Sequence, residues 1–479
     1  MTTISPLPPA LRTRAADVGR RFPTDFVWGA ATAAPQIEGS IDADGRTPSI
    51  WDVFARVPGA VADGDTLDRA DEHYLRWRDD VALMSDLGLD AYRFSIAWPR
   101  IVPAADGIVN SRGLDFYDAL VDELLGNGIE PFATLYHWDL PQWQQERGGW
   151  ADRSVAHRFA EYASIVADRL GDRVRNWMTL NEPWVYVFLG HLDGVHAPGI
   201  RSEEHAVRAM HHTLLAHGLG TQALRAALPA DRNVGIALSM SPAEPATPGP
   251  EDAAAAERFD LYRNWLFLHP ITHGQYHPGT EELFDTEIPI QEGDLEVISS
   301  PIEFVGINYY ARGVVQADDG VPVVRAKETP PAGVFTAMGW EVHPQGIADI
   351  VTQTHEKYAP GAIYITENGS AWDDEEASDG SIVDTPRVDY LLDHLTAAAG
   401  CLNTGAPLRG YFAWSLLDNF EWAEGYRKRF GIVHVDYPTQ RRTVKQSGAV
   451  YRTVALANAE DEHGDGDGDG VIDTIDMVP

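Results

Sequence analysis

One cysteine is present in 479 residues. That lone thiol, Cys401, excludes an intramolecular disulfide and any multi-cysteine metal or cluster site. Its small apolar neighbours, Ala399, Gly400 and Leu402, predict a buried bystander rather than a nucleophile. Basic residues are also scarce. Lys+Arg is 37 against Asp+Glu 72, a formal charge of −35. Such a chain has no basic footprint for nucleic acid and is repelled by anionic membranes. No uninterrupted apolar run approaches the roughly 20 residues of a membrane helix. Residues 1–21 lack the apolar stretch of a secretory signal and read as a flexible leader, so a cytoplasmic, reducing location is the default. There is no Gly-rich dinucleotide fingerprint, phosphate loop, His/Cys ligand cluster or pyridoxal-type lysine motif, and no cofactor is expected.

What the chain does have is apolar mass and aromatic rings. Hydrophobic residues make up 44%, enough for a large core, and there are 14 Trp, 17 Tyr and 16 Phe. Many of the tryptophans stand beside polar residues at the ends of expected strands, a combination suited to sugar rings with apolar faces and polar edges. Core packing alone explains each ring equally well.

Short apolar runs alternate with helical periodicity. The expected strands are Phe26–Ala33, Ala91–Ala97, Ile129–Tyr136, Arg175–Leu180, Val234–Leu238, Phe304–Tyr309, Ala362–Thr366 and Gly410–Ser415. Several are nearly continuous apolar runs, as in strands covered on both faces. Amphipathic helices are expected over Asp71–Leu87, over Leu114–Leu125, from a Ser154 cap to Gly171, and from Ile347 to Tyr358. Eight strands, each followed by helical material, predict an α/β fold: a (β/α)₈ TIM barrel of one domain over 22–458. Residues 39–70, 240–251 and 313–340 are expected as loop insertions. Residues 459–479 form an acidic Asp/Gly-rich tail. Asp465, Asp467, Asp469, Asp473 and Asp476 fall at positions 1, 3, 5, 9 and 12 of an EF-hand-type loop, with Gly470 at 6. Position 12 is Asp rather than Glu and flanking helices are missing, so calcium loop and plain acidic tail both stay open.

A barrel works at the C-terminal ends of its strands. The fourth ends Asn181-Glu182-Pro183 and the seventh Glu367-Asn368-Gly369. Two carboxyl groups facing one cavity are the minimum equipment for glycoside hydrolysis, one protonated and one ionised. The other ends bring Gln36, His137, Asn308, Tyr310, Trp414, Glu421 and Trp422, partners for vicinal hydroxyls and a sugar face. Each has an ordinary structural role open to it. Their gathering at one rim is what points to a site.

Five stretches closely resemble glycoside hydrolase family 1, the retaining β-glucosidase family. They are Phe26-Val-Trp-Gly-Ala-Ala-Thr-Ala-Ala-Pro-Gln-Ile-Glu-Gly39, Tyr92-Arg-Phe-Ser-Ile-Ala-Trp-Pro-Arg100, Thr179-Leu-Asn-Glu-Pro183, Ile365-Thr-Glu-Asn-Gly369 and Leu416-Leu-Asp-Asn-Phe-Glu-Trp422. The resemblance runs from about Phe22 to about Asn458. It implies Glu182 as acid/base, Glu367 as nucleophile and Asn181 on the sugar 2-hydroxyl. It implies Tyr310 and Arg93 beside Glu367, with Gln36, His137, Glu421 and Trp422 on the remaining hydroxyls. Trp414 would be a platform under the ring, with Trp340 on the aglycone side. A small-molecule β-glucoside is the implied partner. Hydrolysis and transfer to an acceptor alcohol stay open, as does assembly into a homo-oligomer. Glu182 is not the Gln of thioglucoside-cleaving relatives. Glu421-Trp422 is not the segment with which other relatives hold a 6-phosphate. Glu367 is expected to raise the pKa of Glu182 by repulsion, and retention implies carboxyl groups roughly 5–5.5 Å apart.

Overall fold

The computed structural model describes residues 4–329 and 331–459. The eight apolar runs pair edge to edge as β1 Val27–Ala31, β2 Ala91–Ser95, β3 Glu130–Tyr136, β4 Asn176–Asn181, β5 Asn233–Ser239, β6 Phe304–Asn308, β7 Ala362–Asn368 and β8 Leu408–Trp414. Each pairs in parallel with its sequence neighbours, and β1 closes the barrel against β8, with Ala31 opposite Trp414. Parallel strands need crossover connections, and the helices supply them.

The barrel interior is packed side chains, not a channel. Ala31, Ala91, Phe132, Met178, Ala237, Phe304 and Phe412 form one buried cluster. Large and small residues alternate around it: a Cβ on Gly29 would sit 2.4 Å from the Phe412 ring, and one on Gly235 2.5 Å from Phe304. Outside the strands the helices bury their apolar stripes. Ser111–Gly126 buries Leu114, Tyr117, Leu120, Val121 and Leu124. Ser154–Leu170 buries Val155, Phe159, Tyr162 and Val166. Ser154 is not its cap: its backbone N–H donates to Asp152 Oδ1 at 2.9 Å, so the aspartate two residues earlier does that work. Cys401 is buried, its thiol directed at the Ala348 carbonyl.

Two expectations change. The leader is not flexible over Pro9–Gly19, which form a helix burying Ala15 and Val18. It lies against the last helix, Gln446–Ala459, so closely that a Cβ on Gly19 would clash with the Val454 carbonyl. The 240–251 and 313–340 insertions are not plain loops. Ala243–Pro245, Gly313–Ala317 and Ala326–Glu328 pair into a three-stranded sheet beyond the barrel rim. Short strands with mixed polarity leave little periodicity to read. The Asp465–Asp476 loop and the rest of the tail after 459 lie outside the described residues. Among the described residues no helix is long and apolar enough to cross a membrane.

Candidate active site

The C-terminal rim encloses a cavity of about 600 Å³. Glu182 and Glu367 both line it. The strands that carry them depart from regular register at this end. β4 shifts against β5 between Met178 and Asn181, and β7 shifts against β6 between Ile365 and Glu367. Such irregularities re-aim side chains, and here they occur on the two strands that bear the carboxyl groups. Glu182 also adopts a left-handed φ of 49°, its N–H donating to the Ala237 carbonyl at 2.9 Å. Trp138 and Trp422 sit in the same backbone region, φ 76° and 49°. Conformations of this kind cost about 1 kcal/mol or more each and persist where the surroundings enforce them.

The two carboxyl groups have different surroundings. Glu367 Oε1 accepts from Arg93 Nη1 at 2.6 Å, and Oε2 from the Tyr310 hydroxyl at 2.7 Å. Glu182 has one neutral donor, Asn308 Nδ2 at 2.9 Å on Oε1. Burial is the leading cause that raises Glu182 to about 7, and repulsion from Glu367 comes second. The expected repulsion is present, and burial adds a larger contribution to it. Burial raises Glu367 as well, against the pull of Arg93 and Tyr310. Charge-assisted donors on Glu367 and only an amide on Glu182 make Glu367 the member that ionises first.

Behind them lies a connected polar layer. Arg93 Nη2 and Asn308 Nδ2 both donate to Asn181 Oδ1. The arginine thereby fixes the amide, leaving Asn181 Nδ2 to donate to His137 Nε2 at 2.9 Å. The imidazole then carries its proton on Nδ1, which has no protein partner. Burial and Arg93 hold His137 neutral. Its ring lies between Trp414 and Trp422, with centroids 5.8 and 6.0 Å away. Trp422 in turn packs on Trp51 and Trp138. Gln36 Nε2 donates to Asn419 Oδ1 and to the Phe420 carbonyl, and reaches Glu421 Oε2 at 3.4 Å. Its Oε1 has no protein partner. Glu421 is raised to about 8, first by burial and then by Glu367 and Glu182. Three carboxyl groups thus face one another across this cavity, and each holds the others' proton affinity up. Trp340 packs on Tyr310 at 5.2 Å.

All of the expected residues meet at this rim, but not all of them face the cavity. His137, Asn308, Tyr310, Trp340, Trp414, Glu421 and Trp422 line it with the two carboxyl groups. Gln36, Arg93 and Asn181 are buried one layer back. Asp418, from the Leu416–Trp422 stretch, points away from it. It is bound by Arg429 and by Lys445, which also holds Asp374, so the loops after β7 and β8 share one buried brace. Sequence reasoning missed Trp184 and Arg263 on the cavity wall. Trp184 follows Glu182 by two residues and was open to notice; Arg263 lies in an insertion with no motif around it.

Comparisons with known proteins agree. The family model described as Glycosyl hydrolase family 1 matches residues 18–460. Beta-glucosidase A of Thermotoga maritima is 48% identical over 444 residues, covering 92% of this chain and 98% of that one. The beta-glucosidase of an Agrobacterium species is 48% identical over 449 residues, covering 93% and 97%. The solved Thermotoga maritima beta-glucosidase in complex with deoxynojirimycin superposes with a TM-score of 0.89 at 47% identity, covering 92% of this chain and 99% of that chain. With the family match spanning nearly the whole chain and these relatives close to half identical, the chain belongs to glycosyl hydrolase family 1.

Proposed function

We propose that this protein is a retaining β-glucosidase that removes terminal non-reducing β-D-glucosyl residues from cellobiose, short β-glucosides and aryl glucosides. The observation that carries the reading is the unequal pair on one cavity wall. Glu367 is held by a cation and a phenol, and Glu182 is buried with a neutral amide. In the first half-reaction a Glu367 oxygen bonds to the anomeric carbon, the glycosidic bond breaks, and Glu182 gives its proton to the departing oxygen. In the second, water bonds to that carbon and its proton goes to Glu182. The bond to Glu367 breaks, and its electron pair returns to the carboxylate. Glycosylation removes the charge of Glu367, which lowers the proton affinity of Glu182 between the two steps.

The unpartnered His137 Nδ1 supplies a donor to ring hydroxyls, with Gln36 behind it holding the Glu421 side chain. Glu421 offers two oxygens to neighbouring hydroxyls, and Trp414 supplies an apolar face. We place the enzyme in the cytoplasm, a setting with which the single buried thiol is compatible. The test is a panel of aryl glycosides and cello-oligosaccharides with the anomer of the first product followed by NMR. A first product of α configuration, or no activity on any β-glucoside, overturns the proposal.

Glucosides are expected to react faster than galactosides and fucosides, and 6-phosphoglucosides not at all. A sugar that leaves one Glu421 oxygen unpaired loses roughly 1–3 kcal/mol. A 6-phosphate would bring a second anion into the confined space that already holds the ionised Glu367. In Glu421→Ser the gaps among the neutral sugars should narrow, read as ratios of kcat/KM. Equal losses on all three sugars would show that Glu421 only braces the β8 loop.

A further inference from the structure

One partly buried cation on the cavity wall has no ion pair among the described residues. Arg263 lies in a π-helical turn, Leu261–Trp265, inside the connection between β5 and β6. Its Nη2 donates to Ser239 Oγ at 2.8 Å, at the very end of β5. Its guanidinium covers the Trp184 ring at 3.9 Å. Its Nη1 is buried with no partner. More deeply buried arginines in this acidic chain are paired: Arg93 with Glu367, Arg100 with Glu38, Arg387 with Asp374. A guanidinium nitrogen buried without a partner is costly, and one held beside a cavity calls for a use.

Its placement connects it with Glu182. Ser239 lies two residues beyond Ala237, whose carbonyl receives the Glu182 N–H, and Trp184 lies two residues beyond Glu182. Arg263 is thus tied on both sides to the backbone that carries the acid/base. We infer that Arg263 is a positioning residue for the second half-reaction, its charge stabilising the Glu182 carboxylate when that group must take a proton from water. This rests on the retaining reading above.

Charge balance shows why the second step needs it. In the free enzyme Glu182 faces the carboxyl groups of Glu367 and Glu421 and the cations Arg93 and Arg263. The remaining titratable neighbours are Tyr310, Tyr262 and the imidazoles of His137 and His196, all neutral at working pH. Arg263 itself feels Glu182, Tyr262 and, on its other side, Glu328. Once Glu367 carries the sugar, its negative charge is gone. Arg93 loses its ionised partner, while Arg263, with no ion pair among the described residues, keeps its attraction to Glu182. Both then favour an ionised Glu182, and only Arg263 is free of the bond to the nucleophile.

The experiment compares Arg263→Met, Arg263→Gln and Arg263→Lys with wild type. The alkaline limb of kcat/KM reports protonated Glu182 in the free enzyme. Removing the positive charge raises its pKa, so the limb should move upward by about half a pH unit or more in the Met and Gln variants. Lysine should restore it. With a dinitrophenyl glucoside, whose first step needs no acid, kcat near pH 6 should fall several-fold as glycosyl-enzyme accumulates, seen as a larger burst. Gln keeps a hydrogen-bonding side chain and serves if Met fails to fold. A folded Met or Gln variant with an unmoved limb and an unchanged burst overturns the inference. A limb that persists in Glu182→Gln overturns the underlying acid/base assignment instead, so the two failures are told apart.

Discussion

Glu367→Ala should abolish hydrolysis of every β-glucoside, a loss of several orders of magnitude, and added azide or formate should partly restore turnover. The carboxylate at the end of β7 is the atom source for the covalent intermediate, so no neighbour can stand in for it. Arg93 and Tyr310, which bind its two oxygens, remain to receive a small anion in the vacated space. An anion entering there attacks from the side that Glu367 used, in a single displacement, and the product has the inverted α configuration. The check is NMR of the glycosyl azide alongside the rate without added nucleophile. Activity persisting in Glu367→Ala with no azide present would remove Glu367 from the mechanism.

Glu182→Ala should divide substrates by leaving group. Cellobiose and alkyl glucosides depart as poor leaving groups and need the proton, so their kcat/KM should fall by on the order of 10²–10⁴. A dinitrophenyl glucoside departs unaided and should lose little in its first step. Its second step still lacks a base, so glycosyl-enzyme should accumulate and azide should release it as the β-azide. The alkaline limb near pH 7 should also disappear. The sign follows from the raised pKa: the group is protonated and competent below about 7, and competence is lost as pH rises through that value. Equal losses across both substrate classes would remove Glu182 as the acid.

The barrel was legible because strands covered on both faces read as unbroken apolar runs, and all eight expected runs became its staves. Glu182 and Glu367 were legible because a strand end followed by Pro183 or Gly369 marks the rim. The part that burial plays in their titration was not. Burial raises Glu421 to about 8 and leads the shift in Glu182, and burial is a property of the assembled cavity rather than of neighbours in the chain. Arg263 was hidden for a similar reason. Nothing in Leu261–Trp265 signals that the turn will carry a cation back to the end of β5. The helix at Pro9–Gly19 escaped notice because its buried residues, Ala15 and Val18, are too few to make a stripe; its partner is more than 400 residues away.

The contact between the first and last helices has a bearing on how this enzyme can be held. Asn458 donates to the carbonyls of Phe22 and Pro23 and accepts from Trp28 Nε1, so the end of the last helix is fastened where β1 begins. Sugar enters at the opposite pole, where the strands end. The last helix therefore ends at the closed base of the barrel. A resin, a scaffold protein or a cell-surface anchor joined beyond Ala459 would grip the molecule by its base. The mouth would face outward, and immobilisation through this end should cost little access to substrate.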